Sequence, residues 1–130
     1  MSRGLNKVML IGNLSRDPEM RYTPSGRPVT TFVIVTQRNW NTSEGEKKTE
    51  IEKFNVVTWG NLAEICNHRL IKGTQVYIEG RLQTRLWEDK EGVKHHSIEI
   101  VASEMLCLGS QETENQNIED KSSSNTLQAL

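Results

Sequence analysis

Residues 61–87, NLAEICNHRLIKGTQVYIEGRLQTRLW, decide the fold, because the period of their apolar side chains changes in mid-stretch. Over residues 61–70 the apolar groups Leu62, Ile65, Cys66 and Leu70 recur at helical spacing. Asn61 is placed to act as N-cap, Glu64 to complete a capping box, and Lys72-Gly73 to supply a C-terminal cation and a stop. Over residues 74–87 the period is two. Val76, Ile78, Leu82, Thr84 and Leu86 share one face; Tyr77, Glu79, Arg81, Gln83, Arg85 and Trp87 share the other. A helix therefore runs directly into an alternating strand.

Strand signals surround this pair. Before the helix come residues 6–14 with Val8-Met9-Leu10-Ile11, residues 28–37 with Phe32-Val33-Ile34-Val35, and residues 50–59 with Ile51, Phe54 and Val56-Val57. After it come residues 94–106 with Ile98, Ile100 and Val101. Three strands, a helix and two strands predict an all-β chain with an OB-fold: a five-stranded Greek-key barrel with one helix between strands 3 and 4. The polar connections 38–49 and 88–93 become the hairpins that flank a binding groove. Several of these strands are apolar on both parities, which the helix alone cannot cover. A homo-oligomer packing barrel against barrel is expected.

The chain has 130 residues, enough for one domain and a tail. Residues 1–109 form the expected binding and oligomerisation domain. Residues 110–130, without an aromatic residue and rich in Gln, Asn, Ser and Glu, form an expected disordered, mildly acidic tail. Glu112, Glu114, Glu119 and Asp120 against Lys121 leave that tail at −3, so the chain's net −1 leaves residues 1–109 at +2.

Other chemistries find little support. Cys66 and Cys107 have no metal-ligand spacing and read as small buried hydrophobes in a reducing compartment. His95 and His96 are adjacent on a strand and point to opposite faces, a poor metal pair. Asp17 and Glu19 flank Pro18 in a turn, a structural setting. With no phosphate loop, nucleophile elbow or zinc-protease motif, no catalytic residue, metal or cofactor is expected, and the chain reads as a non-enzyme. No leader or membrane-length apolar run is visible, so a cytoplasmic protein with no membrane partner is expected.

Three tryptophans carry the functional reading. Trp40, Trp59 and Trp87 sit among polar or charged neighbours. Lys53, Asn55, Val57 and Trp59 share one face of the third strand, and Arg81, Gln83, Arg85 and Trp87 one face of the fourth, with Trp40 reaching in from the long hairpin. Stacking on such a ring is worth about 1–3 kcal/mol per base and tolerates any base, while neighbouring cations take the phosphates. Single strands fit that surface; a duplex hides its base faces. The same rings could instead anchor a protein partner, because tryptophan and arginine are also enriched at interface hot spots.

The chain resembles the bacterial-type single-stranded DNA-binding (SSB) family over about residues 2–108. The resemblance rests on Ser2-Arg3-Gly4-Leu5-Asn6-Lys7-Val8, Leu10-Ile11-Gly12-Asn13-Leu14, Asp17-Pro18-Glu19-Met20-Arg21-Tyr22, Gly73-Thr74-Gln75-Val76-Tyr77-Ile78-Glu79-Gly80 and Arg81-Leu82-Gln83-Thr84-Arg85-Leu86-Trp87. It implies an OB-fold homotetramer that wraps single-stranded DNA during replication, recombination and repair, in the bacterial cytoplasm with the nucleoid. It further implies stacking at Trp40, Trp59 and Trp87, and phosphate contacts at or beside Arg3, Lys7, Arg21, Lys72 and Arg85. Lys53 and Arg81 join these from strand parity. Phe54 falls at a position associated with assembly, and Tyr77 is taken with it as an assembly or groove residue. Two departures stand out. Lys53 occupies a position where many relatives stack an aromatic ring. The tail ends Asn125-Thr126-Leu127-Gln128-Ala129-Leu130, without the acidic-aromatic tip through which relatives recruit replication and repair proteins. Such partners would need another signal.

Overall fold

The computed structural model describes residues 3–110, so the expectation of a disordered tail concerns residues outside the described ones. The elements are β1 (Val8–Leu14), β2 (Glu19–Tyr22), β3 (Pro28–Asn41), β4 (Lys47–Trp59), α1 (Gly60–Arg69), β5 (Thr74–Glu88) and β6 (Lys94–Ser110). They hydrogen-bond in the order β1-β5-β6-β4-β3-β2. β1 also meets β3 through Asn13↔Val35 and Leu14↔Ile34, which closes five strands into the expected OB barrel. The sixth strand, β2, was not expected. It is a four-residue ribbon on the edge of β3, too short and polar to give a period-two signal.

The interior is filled by alternate residues of the closed strands, including Phe32, Ile34, Val56, Val76, Ile78 and Ile100. α1 plugs one end with Ala63 and Cys66, followed by Leu70 at its C-cap. Two corrections to the helix follow. Ile65 is exposed, because Ala63, Cys66 and Leu70 form the buried face instead. Asn61 is not the N-cap: the helix begins at Gly60, Trp59 occupies the cap position with extended backbone, and no side chain caps it. The left-handed φ of 63° at Gly60 suits glycine at this sharp junction of strand and helix. Buried hydroxyls fasten the helix down. Thr30 Oγ1 donates to the Ala63 carbonyl at 2.7 Å, and Thr58 Oγ1 donates to the Thr30 carbonyl at 3.0 Å.

Close strand crossings explain Gly12. A Cβ there would lie 2.5 Å from Ile34 Cγ2 and 2.6 Å from the Val35 carbonyl oxygen, so only glycine lets β1 close onto β3. The cysteines separate in behaviour. Cys66 is buried, and burial pushes its thiol up to about 11. Cys107 is exposed, contrary to expectation, because β6 meets β4 only at Ile100 and Val101 and has left it by residue 107.

The hairpins differ most from the sequence reading. The connection expected over residues 38–49 is largely ladder: β3 and β4 stay paired out to Asn41↔Lys47. Backbone pairing needs no apolar side chains, so a polar hairpin arm leaves no hydrophobic period to read. β5 and β6 likewise stay paired to Glu88↔Lys94. Leu82 and Leu86 keep the parity of the core residues, but Leu86 is 79 % exposed because the arm projects past the barrel.

Candidate nucleic-acid interface

The site forms on the outer face of the sheet. Register pairs Trp59 with Val29 and Val57 with Thr31, while the intervening Thr30, Thr58, Phe32 and Val56 point into the barrel. β2 adds Arg21 opposite Val29 and Glu19 opposite Thr31. The parallel pairing Val57↔Val101 brings in β6, whose Glu99 faces Gln83 and whose Ser97 faces Arg85 on β5. A groove of about 510 Å³ results, lined by Arg21, Trp59, Gln83 and Arg85 together with Glu19, Val29, Thr31, Val57 and Glu99. A second cleft of about 210 Å³ shares Thr31, Arg85 and Glu99 with it and adds Arg16 and Asn55. Of the expected residues, Trp59, Arg21 and Arg85 thus converge. Arg16 was missed: it lies in the β1–β2 connection, where no periodic pattern singles it out.

Each tryptophan has a nitrogen-bearing group against its ring. The Arg27 guanidinium lies 4.9 Å from the centroid of Trp59, and the Arg38 guanidinium 4.7 Å from that of Trp40. The His95 imidazole stacks on Trp87 with centroids 4.5 Å apart and planes 21° apart. Arg27, Arg38 and His95 were also missed: the contacts of Arg27 and His95 depend on register across strands, and Arg38 lies two residues before Trp40 on the same face of β3. Glu50 accepts from Arg38 at 2.9 Å, and that bond holds the Glu50 carboxyl below the usual carboxylate value. Arg21 is paired with Glu19.

The remaining positions are dispersed. Trp87 lies two residues beyond Arg85 on the same face of the β5–β6 arm. Trp40 is on a strand, not in a loop; it pairs with Lys48 and has the parity opposite to Trp59. A hollow beside it is lined by Asn39, Asn41, Lys47, Lys48 and Thr49. Lys53 shares the outer parity with Trp59 but sits about 20 Å along the strand, at ~3.3 Å per residue, and lines neither groove. Lys7 and Arg81 line a separate hollow with Leu5 and Asn6. Arg3 and Lys72 are exposed and line none of these hollows; the Lys72 amide donates to Asp17 Oδ1 at 2.8 Å, which gives Asp17 a structural task. Phe54 is half-buried against the core.

Tyr77 belongs to a different surface. Its hydroxyl donates to Glu79 Oε1 at 2.8 Å, and Lys7 Nζ lies 3.2 Å from Glu79 Oε2. The tyrosine hydrogen bond, then Lys7, hold the Glu79 carboxyl low, while the carboxylate raises the phenol of Tyr77. Ile11 and Leu106 flank Tyr77 in register on either side. With Met9 they form an apolar strip on the outside of the sheet, each 55–63 % exposed.

Among the described residues no group of three or more His, Cys, Asp and Glu side chains could hold a metal ion. No helix among them is long and apolar enough to cross a membrane.

Comparison with known proteins finds relatives by sequence and by structure. The model of the single-strand binding protein family matches residues 5–108. Single-stranded DNA-binding protein 1 of Chlorobaculum tepidum is 50 % identical over 114 residues, spanning 87 % of this chain and 70 % of the relative. A Plasmodium falciparum SSB complex with ssDNA has a similar structure, with a TM-score of 0.76 at 28 % identity, covering 83 % of this chain and 98 % of that one.

Proposed function

The chain belongs to the single-strand binding protein family, and from that premise we propose that single-stranded DNA follows its outer sheet face, stacking bases on Trp59 and Trp87, and reaches Trp40 on the opposite face of the β3–β4 arm. That the chain binds single-stranded DNA follows from the family itself. One observation carries the assignment of residues: a single groove gathers Trp59, Arg21 and Arg85 from three strands. A base on the Trp59 ring gains stacking energy of about 1–3 kcal/mol whatever its identity. Arg21, Arg85 and Arg16 meet the phosphates on either side. Lys7, Lys53, Arg81, Lys72 and Arg3 extend the cationic path beyond the groove. Binding is then sequence-tolerant, salt-sensitive and poor for duplexes.

The same proposal covers assembly and role. The strip of Met9, Ile11, Tyr77 and Leu106 supports self-association into a homotetramer, with Phe54 and Tyr77 contributing to its framework. Protection of single strands in replication, recombination and repair, near the nucleoid of a bacterial cytoplasm, fits a family without catalytic activity and a bacterial relative at 50 % identity.

A fluorescence titration tests the site. Poly(dT) quenches the tryptophans, the affinity falls as salt rises, and duplex DNA of equal length gives little change. Absence of quenching, or equal affinity for duplex, overturns the reading; a change that requires a protein partner supports an adaptor instead.

A further inference from the structure

We propose that His95 is a positioning residue for base stacking: it occupies one face of the Trp87 ring and leaves the other face for a base. The inference rests on the reading of Trp87 as a stacking platform.

The two rings are cross-strand partners in register on β5 and β6, at 4.5 Å and 21°. That is stacking geometry for two flat rings. The histidine is itself held. Its Nε2 lies 2.8 Å from Asp89 Oδ2, while Asp89 Oδ1 accepts the amides of Glu91 and Val93, each at 2.9 Å. The carboxylate is therefore locked by the backbone of the turn, and it locks the imidazole in turn. One ring nitrogen is committed to Asp89.

Trp87 needs this support more than a core residue would. It is 48 % exposed on an arm that has left the barrel, where Leu86 and Ile98 are also exposed. A ring on such an arm would otherwise be ordered only when DNA arrives, and ordering a side chain at the moment of binding weakens affinity. His95 orders it beforehand. Arg27 against Trp59 and Arg38 against Trp40 repeat the arrangement with a guanidinium in place of the imidazole.

The test uses the full chain, oligo(dT) and the variants His95→Ala, His95→Phe, Trp87→Ala and the double alanine, with thermal unfolding checked for each. His95→Ala is expected to weaken binding roughly three- to tenfold, the range for one aromatic pair. His95→Phe keeps a flat ring against Trp87 without the Asp89 bond and restores affinity to within about twofold. The salt slope stays unchanged, and His95→Ala has no further effect once Trp87 is alanine. Unaltered binding by His95→Ala overturns the proposal. So does a His95→Phe as weak as His95→Ala with a reduced salt slope, which makes the imidazole a phosphate contact. So do additive effects in the double variant. Loss with Trp87→Ala but not with His95→Ala defeats this inference alone; no loss with Trp87→Ala defeats the stacking role of Trp87 as well.

Discussion

A tryptophan ring has two faces, and at all three positions one is already engaged, by Arg27, Arg38 or His95. Rings and cations therefore do different work, and removing them should leave different traces. Trp59→Ala is expected to cost about 1–3 kcal/mol of binding to oligo(dT) with an unchanged salt slope. Arg85→Ala is expected to lower the slope of log K against log salt by about 0.7, the value for one phosphate on a single strand. Titrations at four salt concentrations separate the two; a reduced slope for Trp59→Ala would contradict the division. The tryptophans were visible in the sequence because large rings among polar neighbours are conspicuous. Two of their partners, Arg27 and His95, were not, while Arg38 shares a face with Trp40 two residues along the same strand. Arg27 reaches Trp59 only because Val29 and Trp59 are opposite each other in the β3–β4 ladder.

At the scale of the element, the β5–β6 arm holds its shape through its turn. Asp89 accepts from His95 and from the amides of Val93 and Glu91, and these bonds, His95 first, keep its carboxyl below the ordinary value of 3.8. A carboxyl depressed in the folded state favours folding above its unfolded pKa, and that contribution is lost as pH falls through the depressed folded value. The tip is thus fully tethered at neutral pH and loosens only under strongly acidic conditions. Carbon NMR of the Asp89 carboxyl should show a midpoint below 3.8 in the wild type, moving up in His95→Ala. An ordinary midpoint in the wild type would show that the tether is not formed in solution. The strand itself was legible from its alternation over residues 74–87. Its extension past the barrel was not, since alternation reports which residues share a face, not what covers that face.

For the whole molecule, the apolar strip of Met9, Ile11, Tyr77 and Leu106 is the surface to test. Placing a charge at its centre through Ile11→Glu would bury a carboxylate in any assembly formed there, a change costing several kcal/mol. The expected outcome is a smaller particle by light scattering with thermal unfolding still cooperative, because Ile11 is outside the barrel core. A full-size assembly in Ile11→Glu would move the interface elsewhere.

The sequence alone determined the order of the barrel's strands and helix, and the rings and cations available for binding, because side-chain period and chemistry are local properties of the chain. It also marked β1 as apolar on both faces, which Met9 and Ile11 bear out by lying exposed. Only the tertiary structure decided which of those groups meet. Barrel closure brings Arg21, Trp59 and Arg85 into one groove, sends Trp40 to the opposite parity of its hairpin, and leaves Lys53 farther along the strand. Register between strands distant in sequence sets those relations, and no local pattern encodes it.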